Sequence, residues 1–594
     1  MSKKNFLPVS KADLEEMGIK QLDFIMITGD AYVDHPSFGA ALIARLLESR
    51  GYSIGIIAQP DWRSKESFRV LGIPRLAFLV TSGNMDSMVS NYTVSGRKRK
   101  NDMFSPGNKT GMRPDRAVIV YTNRIRDACG DVPVIIGGME ASLRRLAHYD
   151  YWEDRVRRSI LLDSKADLLV YGMGEKPILE IAEALDAGID IKHLSYIPQT
   201  AYVTSDIDDS CDHIKLEDYT KASNDKEAYA RNFMIQYENS SPFDSRTLVE
   251  RYADKTFVVQ NPPASPLDQM DLDDIYELPY TKLEHPSYSS SGGIKALEEV
   301  RFSLLSSRGC FGGCSFCALT NHQGRIVSAR SHGSIIREAV QLTKEPDFKG
   351  YIHDVGGPTA NFRFPSCQKQ SEKGVCSKRQ CLFPKPCPEL RIDHSDYVAL
   401  LRRLRDIDGI KKVFIRSGIR YDYLLYDKDK TFLNELCRFH ISGQLKVAPE
   451  HICDDVLNCM SKPSIKLFEE FKRIFKKENE KLGRKQYLVP YFMSSHPGAT
   501  LDHAIDMAEY FHKNDIRVEQ AQDFYPTPGT LSTCMYYTGL DPRNMKKVYV
   551  AKKPGEKAMQ RALIQYYKPG NHKLVVEALK ITGRKSSIIK TRKQ

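Results

Sequence analysis

Ser307-Arg308-Gly309-Cys310-Phe311-Gly312-Gly313-Cys314-Ser315-Phe316-Cys317 sets three thiols at C-x3-C-x2-C spacing on a glycine-rich loop. Spacing this close lets one loop wrap a compact metal centre, and the glycines let backbone N–H groups approach its sulfurs. Soft thiolates select zinc or iron–sulfur chemistry. A fully capped [4Fe–4S] cube takes four cysteines, so three leave one iron open to a substrate or cosubstrate, as a catalytic zinc keeps an open position. A zinc knuckle completed by His322 is the other reading of the same loop. Four more cysteines, Cys367, Cys376, Cys381 and Cys387, lie among Pro365, Pro384, Pro386 and Pro388. That Pro- and Lys-rich stretch offers little core in which they could serve as small hydrophobes. They form either a second metal centre, zinc or iron–sulfur, or a reduced, partly ordered loop. Cys129, Cys211, Cys437, Cys453, Cys459 and Cys534 are scattered and read as packing residues.

The elements that must position these groups alternate. Strand patterns at 302–306, 350–355, 412–416, 444–447, 487–491 and 518–523 are separated by helical patterns at 334–343, 393–405, 430–439, 465–482 and 501–513. Six β/α units predict a barrel or a partial one, with chemistry at the carboxyl ends of its strands. Upstream, strand patterns at 22–28, 53–58, 75–82, 117–122, 132–136 and 168–172 alternate with helices, one ending at Gly51 and one running from Glu175 towards Gly188. This predicts a doubly wound, mostly parallel sheet. Between the two halves, 205–293 is acidic (Asp206, Asp208, Asp209, Asp212), then proline-rich at Asn261-Pro262-Pro263-Ala264-Ser265-Pro266, and reads as a connector whose flexible end is Ser289-Ser290-Ser291-Gly292-Gly293. The expected division is 1–204, an N-terminal domain; 205–293, the connector; 294–540, the barrel with a cysteine-rich insertion at 365–390; and 541–594, a basic extension.

With 41% hydrophobic and 27% charged residues over 594, the composition is that of a folded globular chain. No run approaches the ~20 apolar residues that cross a bilayer, and residues 1–10 lack a signal peptide's apolar stretch. Thirteen cysteines are too few for a disulfide scaffold of this size. No membrane and a cytoplasmic location are expected. The net charge of +12 resides in residues 541–594, where 15 Lys and Arg face Asp541, Glu556 and Glu577. Arg584, Lys585, Lys590, Arg592 and Lys593 could attract a polyanion such as RNA. Without interleaved aromatics they read rather as a solvated tail.

Cys310, Cys314 and Cys317 resemble the signature of the radical S-adenosylmethionine (SAM) superfamily, and Gly324-Arg325-Ile326-Val327-Ser328-Ala329-Arg330-Ser331 resembles its continuation into the first barrel helix. The resemblance covers 300 to about 540. Asp354-Val355-Gly356-Gly357-Pro358-Thr359 stands where the superfamily has a Gly-Gly-Glu segment that helps hold the SAM amino group. The Glu is absent, and the resemblance leaves that role to the backbone of Gly356 and Gly357. Ala448-Pro449-Glu450, Met460, Lys462, His496-Pro497-Gly498 and Tyr525-Pro526-Thr527-Pro528-Gly529-Thr530 are similar to the later half of methylthiotransferase-type domains. Thr28 to Gly39, Ile135 to Ser142 and Tyr171 to Glu175 resemble cobalamin-binding-type domains in fold. A cobalamin-ligating D-x-H-x-x-G is not matched, because Asp34 and His35 are adjacent. Together with Gly29 to Pro36 and Ala58-Gln59-Pro60-Asp61-Trp62, these motifs resemble the YgiQ family of radical SAM proteins over nearly the full chain.

The resemblance implies an α/β chain with an N-terminal Rossmann-like, cobalamin-binding-type domain followed by a radical SAM partial (β/α)6 barrel. It further implies one [4Fe–4S] cluster on the three cysteines, an exchangeable SAM cleaved reductively to a 5′-deoxyadenosyl radical, a cytosolic electron donor and an unidentified substrate. A methylthiotransferase-like modification of RNA or protein is the narrower version. A non-catalytic iron–sulfur or zinc nucleic-acid-binding protein is the alternative from another class.

Overall fold

The computed structural model describes residues 5–208 and 212–592. Asp209, Cys211 and Lys593 lie outside the described residues, as do the side chains of Lys590 and Arg592.

Five strands, β1 (Phe24–Thr28), β2 (Ile54–Ala58), β3 (Ala77–Thr81), β4 (Val134–Ile136) and β5 (Leu168–Val170), pair in parallel in the order β2-β1-β3-β4-β5. This is a doubly wound order, and the crevice beyond its strands' carboxyl ends is where such sheets bind ligands. Every residue of β1 is buried, as a parallel sheet covered on both faces requires. Helices α1 (Gly39–Ser49) and α3 (Glu175–Asp186) cover one face, and α2 (Ala117–Cys129) covers the other.

The 117–122 stretch, expected as a strand, is the start of α2. Val118, Ile119 and Val120 favour strand locally, but the buried residues Val118, Tyr121, Thr122 and Ile125 recur at helical spacing, and packing on the sheet decides.

The expected connector is also different. Its residues supply β7 (His213–Lys215), β8 (Thr247–Ala253) and β9 (Thr256–Gln260), which join β6 (Thr200–Thr204) to extend the sheet as β5-β6-β9-β8-β7. β-Branched residues flank a tight turn at Asp254-Lys255, and β8 buries Leu248, Val249 and Glu250 against the sheet. Nor is the serine-glycine stretch loose: Pro286–Ser291 forms a 3-10 turn, and the Gly107 N–H donates to Gly293 O at 2.9 Å.

The barrel of the second half is built on β10 (Ser303–Leu305), β11 (Asp354–Gly356), β12 (Lys412–Val413), β13 (Gln444–Glu450), β14 (Tyr487–Ser494) and β15 (Ala521–Asp523). β10 pairs with β11, β13 with β14 and β14 with β15, all in parallel, and Tyr351–Ile352 pairs with β12 in the same sense. After β10 come the short α4 (Ala318–Gln323) and then α5 (His332–Leu342); α6 (Ser395–Arg405), α7 (Ile465–Leu482) and α8 (Leu501–Lys513) follow later strands. Ile335, Leu401 and Phe471 from three of them meet Val355 and Val447 in one core, the layering of a partial (β/α)6 barrel.

The basic extension is docked through residue 589 rather than solvated. α9 (Pro554–Ile564) and α10 (His572–Thr582) lay Leu563, Val575 and Leu579 against Ile505 and Ala508 of α8, while Arg584 donates to Asp506 at 2.5 Å and Glu509 at 3.0 Å. Apolar residues at i and i+4 carry this contact. No helix among the described residues is long and apolar enough to cross a membrane.

Candidate functional site

Beyond β10, Ser307–Arg308 pairs antiparallel with Ser328–Ala329, so the chain between them closes into one loop, and the Cys310 N–H donates to Gly324 O at 3.1 Å. The closure needs glycine at 309, where φ is +79° and a Cβ would lie 2.0 Å from Ile326 O. Cys310 Sγ lies 3.3 Å from Thr359 Oγ1 and accepts from the Gly312 N–H at 3.4 Å. Arg420 Nη1 reaches Gly312 O at 3.2 Å and Cys314 Sγ at 3.6 Å. That guanidinium is held by Asp422 through two bonds of 2.8 and 2.6 Å, with both side chains buried. Cys317 opens α4.

Burial pushes the Cys317 thiol up to about 12, with Cys314 and Cys310 adding to the rise, and burial also raises Cys310. Three half-buried thiols thus stand within electrostatic reach of one another, two of them near one buried cation. The loop is fixed from outside: Phe311 stacks on Phe362 with centroids 3.7 Å apart, the Ser315 N–H donates to Met460 O at 3.0 Å, and the Ser532 N–H donates to Ser315 O at 2.9 Å.

Three thiols on one loop beside a buried guanidinium are a donor set that an iron–sulfur cluster could use. Among the described residues no three His, Cys, Asp or Glu side chains converge as one metal ion's ligands would. His322, the fourth ligand of the zinc alternative, turns into the cavities described below, where burial lowers its pKa to about 4.

Gly356 and Gly357 end β11 beside β10, with Gly356 O accepting from the Ser306 N–H at 2.7 Å. A Cβ at Gly356 would meet Ser417 Oγ at 2.1 Å, and one at Gly357 would meet Ser307 O at 2.8 Å. The pair therefore lets the ends of β10, β11 and β12 converge under the cysteine loop. The late motifs gather at the same end. Glu450 closes β13 in a left-handed conformation (φ +70°), buried, with its carboxyl raised by burial against the pull of Lys462 and Arg420. His496 follows β14, its Nε2 2.7 Å from Ser532 Oγ, and Ser532 Oγ is 2.8 Å from Ser315 Oγ. Trp152 Nε1 donates to the Tyr525 hydroxyl at 3.1 Å, joining the barrel to the N-terminal half.

Motif reasoning missed Arg420, Asp422 and the contact of Thr359 with Cys310. It also missed Arg308, which ion-pairs with Glu175 of α3 and bonds the Tyr276 hydroxyl at 3.1 Å. No local signal marks Arg420, which reaches the cysteine loop only through the fold.

Two cavities adjoin α4. One of about 380 Å³ lies between the carboxyl ends of β3, β4 and β5 and the barrel residues Leu305, Arg308 and Leu319. The other, of about 170 Å³, is walled by Arg145, Tyr171 and the proline-rich 263–266. Both reach Arg308, His322 and Gln323, so a chamber separates the N-terminal strand ends from the helix that Cys317 starts. His35 is not part of it: burial lowers its pKa to about 3, and its Nδ1 accepts from the Ser37 N–H at 3.1 Å, while Pro36 and Ser37 line the larger cavity.

A family described as Radical SAM N-terminal matches residues 6–303. The UPF0313 protein of Clostridium perfringens strain 13 is 55% identical over 589 residues, 99% of this chain and 89% of that protein. The chain belongs to the UPF0313 family. A second UPF0313 protein, from Clostridium botulinum strain 657, is 55% identical over 579 residues, 98% of this chain and 90% of its own length. A domain of unknown function, DUF3362, matches residues 519–594 of this UPF0313 chain. Among solved structures, the radical SAM methyltransferase TsrM from Kitasatospora setae, with cobalamin and a [4Fe-4S] cluster bound, aligns at TM-score 0.47 and 14% identity over 94% of this chain and 99% of that one. The cobalamin-dependent SAM radical enzyme OxsB, with aqua-cobalamin bound, aligns at TM-score 0.47 and 9% identity over 93% of this chain and 67% of that one. UPF0313 membership and the Radical SAM N-terminal match make this a radical SAM enzyme. Its Rossmann-like sheet and partial barrel follow from its own strand order.

Proposed function

We propose that this UPF0313 protein holds one [4Fe–4S] cluster on Cys310, Cys314 and Cys317 and cleaves SAM reductively to modify a substrate received in the chamber beside α4. The observation that carries the reading is the trio of thiols on one closed loop, with a buried, carboxylate-held cation at Cys314 and no fourth cysteine in the loop. When bound, the cluster supplies one electron that breaks the C5′–S bond of SAM, giving methionine and a 5′-deoxyadenosyl radical that takes a hydrogen atom from the substrate. The chain's own residues do the rest. Arg420 offsets the negative charge of the thiolates, and Asp422 keeps its guanidinium in place. Phe311 and Phe362 exclude water from the loop's outer side. Gly356 and Gly357 present backbone where the superfamily places the SAM amino group. Arg308, His322 and Gln323 face the substrate.

The same reading takes 294–540 as the catalytic unit, with 365–390 inserted and 541–594 as its basic extension, and includes a cytoplasmic one-electron donor. The test is anaerobic reconstitution of C310A/C314A/C317A followed by incubation with reductant and SAM. The expected result is loss of 5′-deoxyadenosine formation to background. Formation at the wild-type rate overturns the proposal.

A further inference from the structure

Cys367, Cys376, Cys381 and Cys387 form a C-x8-C-x4-C-x5-C stretch that the chemistry above does not use. The fold draws them together. Cys367 precedes a six-residue helix, Gln368–Lys373, and the chain then turns back so that Lys369 Nζ lies 3.5 Å from Cys376 Sγ. Ser366 Oγ is 3.1 Å from Cys381 Sγ and 3.9 Å from Cys367 Sγ, so one hydroxyl spans two of the thiols. The Cys387 N–H donates to Cys381 O at 2.8 Å, closing the loop between them. All four are free thiols, half-buried rather than lost in a core. Cys381 and Cys387 pack with Phe311, Phe362 and Leu382 in the same apolar cluster as Cys310.

Charge supplies an independent observation. Arg325 is 6% exposed and donates to the backbone oxygens of Cys376 at 3.2 Å and Arg379 at 3.0 Å. Its Nε is buried without a partner, and among the described residues it makes no ion pair with a carboxylate. A buried guanidinium without an anion is costly. Thiolates gathered on a metal centre are the anion this position lacks, and Cys381 lies within electrostatic reach of Arg325, Cys367 and Cys376.

We propose that Cys367, Cys376, Cys381 and Cys387 ligate a second iron–sulfur cluster, capped entirely by protein thiolates. Zinc fits less well. Zn–S bonds of about 2.3 Å set tetrahedral sulfurs about 3.8 Å apart, and no three ligating side chains among the described residues come together in that way. With four cysteines this group has no open iron, so it takes no SAM. Packed in the same apolar cluster as Cys310, it would serve as a one-electron carrier beside the first cluster.

The proposal does not depend on the reading of the first site, and one experiment separates the two. The full chain is reconstituted anaerobically with iron and sulfide, then analysed for iron, sulfide and zinc and, after dithionite reduction, by EPR. The wild type is expected to hold about eight iron and eight sulfide per chain. C310A/C314A/C317A should keep about four iron and a reduced-cluster signal that SAM leaves unchanged. C367S/C376S/C381S/C387S should keep about four iron and a signal that SAM shifts. About four iron in the wild type with none in C310A/C314A/C317A, or one zinc per chain surviving in that variant, overturns the second cluster. Should either variant fail to fold, judged by circular dichroism, the wild-type iron and zinc content decides alone.

Discussion

The two cysteine regions of this chain meet the same electrostatic problem in opposite ways. At the Cys310–Cys317 loop the cation beside the thiols, Arg420, already has its own carboxylate: Asp422 holds it through two hydrogen bonds, and both side chains are buried. At the insertion the buried cation, Arg325, makes its hydrogen bonds to backbone oxygens and among the described residues has no carboxylate partner, and the second, Lys369, stands in solvent. The first loop is preset by the barrel: it leaves a strand end, closes on an antiparallel pair and needs glycine at 309. The second hangs on one short helix between prolines. The difference teaches that a charge-balanced site can exist before its metal, whereas an unbalanced one is completed by it.

Removing Arg420 is the largest break of the comparison. Arg420→Met leaves Asp422 buried without a partner, a change that costs about 3–5 kcal/mol when one member of a buried pair is lost. Burial by itself would raise the Asp422 carboxyl, but Arg420 pulls it below the ordinary carboxylate range. The contribution of that carboxylate to wild-type stability is therefore present above the unfolded-state pKa of about 4 and is lost as pH falls below it. In R420M the burial that Arg420 had offset is left to raise the Asp422 carboxyl, so acid neutralises it in the folded variant before pH 4 is reached, and the deficit, greatest near neutral pH, should shrink by pH 4. Urea midpoints of metal-free protein at pH 7 and pH 4 check this; an equal deficit at both values contradicts it.

Arg325→Met should act with the opposite sign. Replacing the guanidinium removes a buried charge and leaves no carboxylate behind, which offsets the loss of its hydrogen bonds to the Cys376 and Arg379 carbonyls. The metal-free variant should unfold at the same or a higher urea concentration than wild type, while the iron assigned to the insertion falls after reconstitution. A destabilised metal-free R325M would show that Arg325 is already balanced, and the contrast with Arg420 would disappear.

The legibility of these features follows from their range along the chain. The cysteine trio, the strand before it and the amphipathic helices at 465–482 and 501–513 are local patterns, and the structure places those helices at the expected bounds. The motif order pointed to the strand end where His496 lies, but its link through Ser532 to Ser315 is a contact that no single motif specifies. The strands at 213–260 were hidden because an acidic preamble and a proline-rich tail flank short β-branched runs, and edge pairing to β6 is a tertiary fact. Val118 to Val120 show the reverse error, local β-propensity overruled by a helical burial pattern. Arg420 stands 103 residues beyond Cys317 in a loop without a motif, so only the barrel's closure can bring it to Cys314.

Lys369 tests how far the insertion's charge argument extends. Its ammonium approaches Cys376 Sγ at 3.5 Å but from an exposed position, where water screens the interaction and a long side chain loses entropy in holding it. If burial is what makes the cation at Arg325 matter, Lys369→Met should leave both the urea midpoint and the iron content within error of wild type. Raising the salt from about 0.05 to 0.5 M, which shortens the screening length several-fold, should likewise leave the insertion's iron in place. A K369M variant that loses iron as R325M does would mean that proximity to sulfur, rather than withdrawal from water, sets the electrostatics of the insertion.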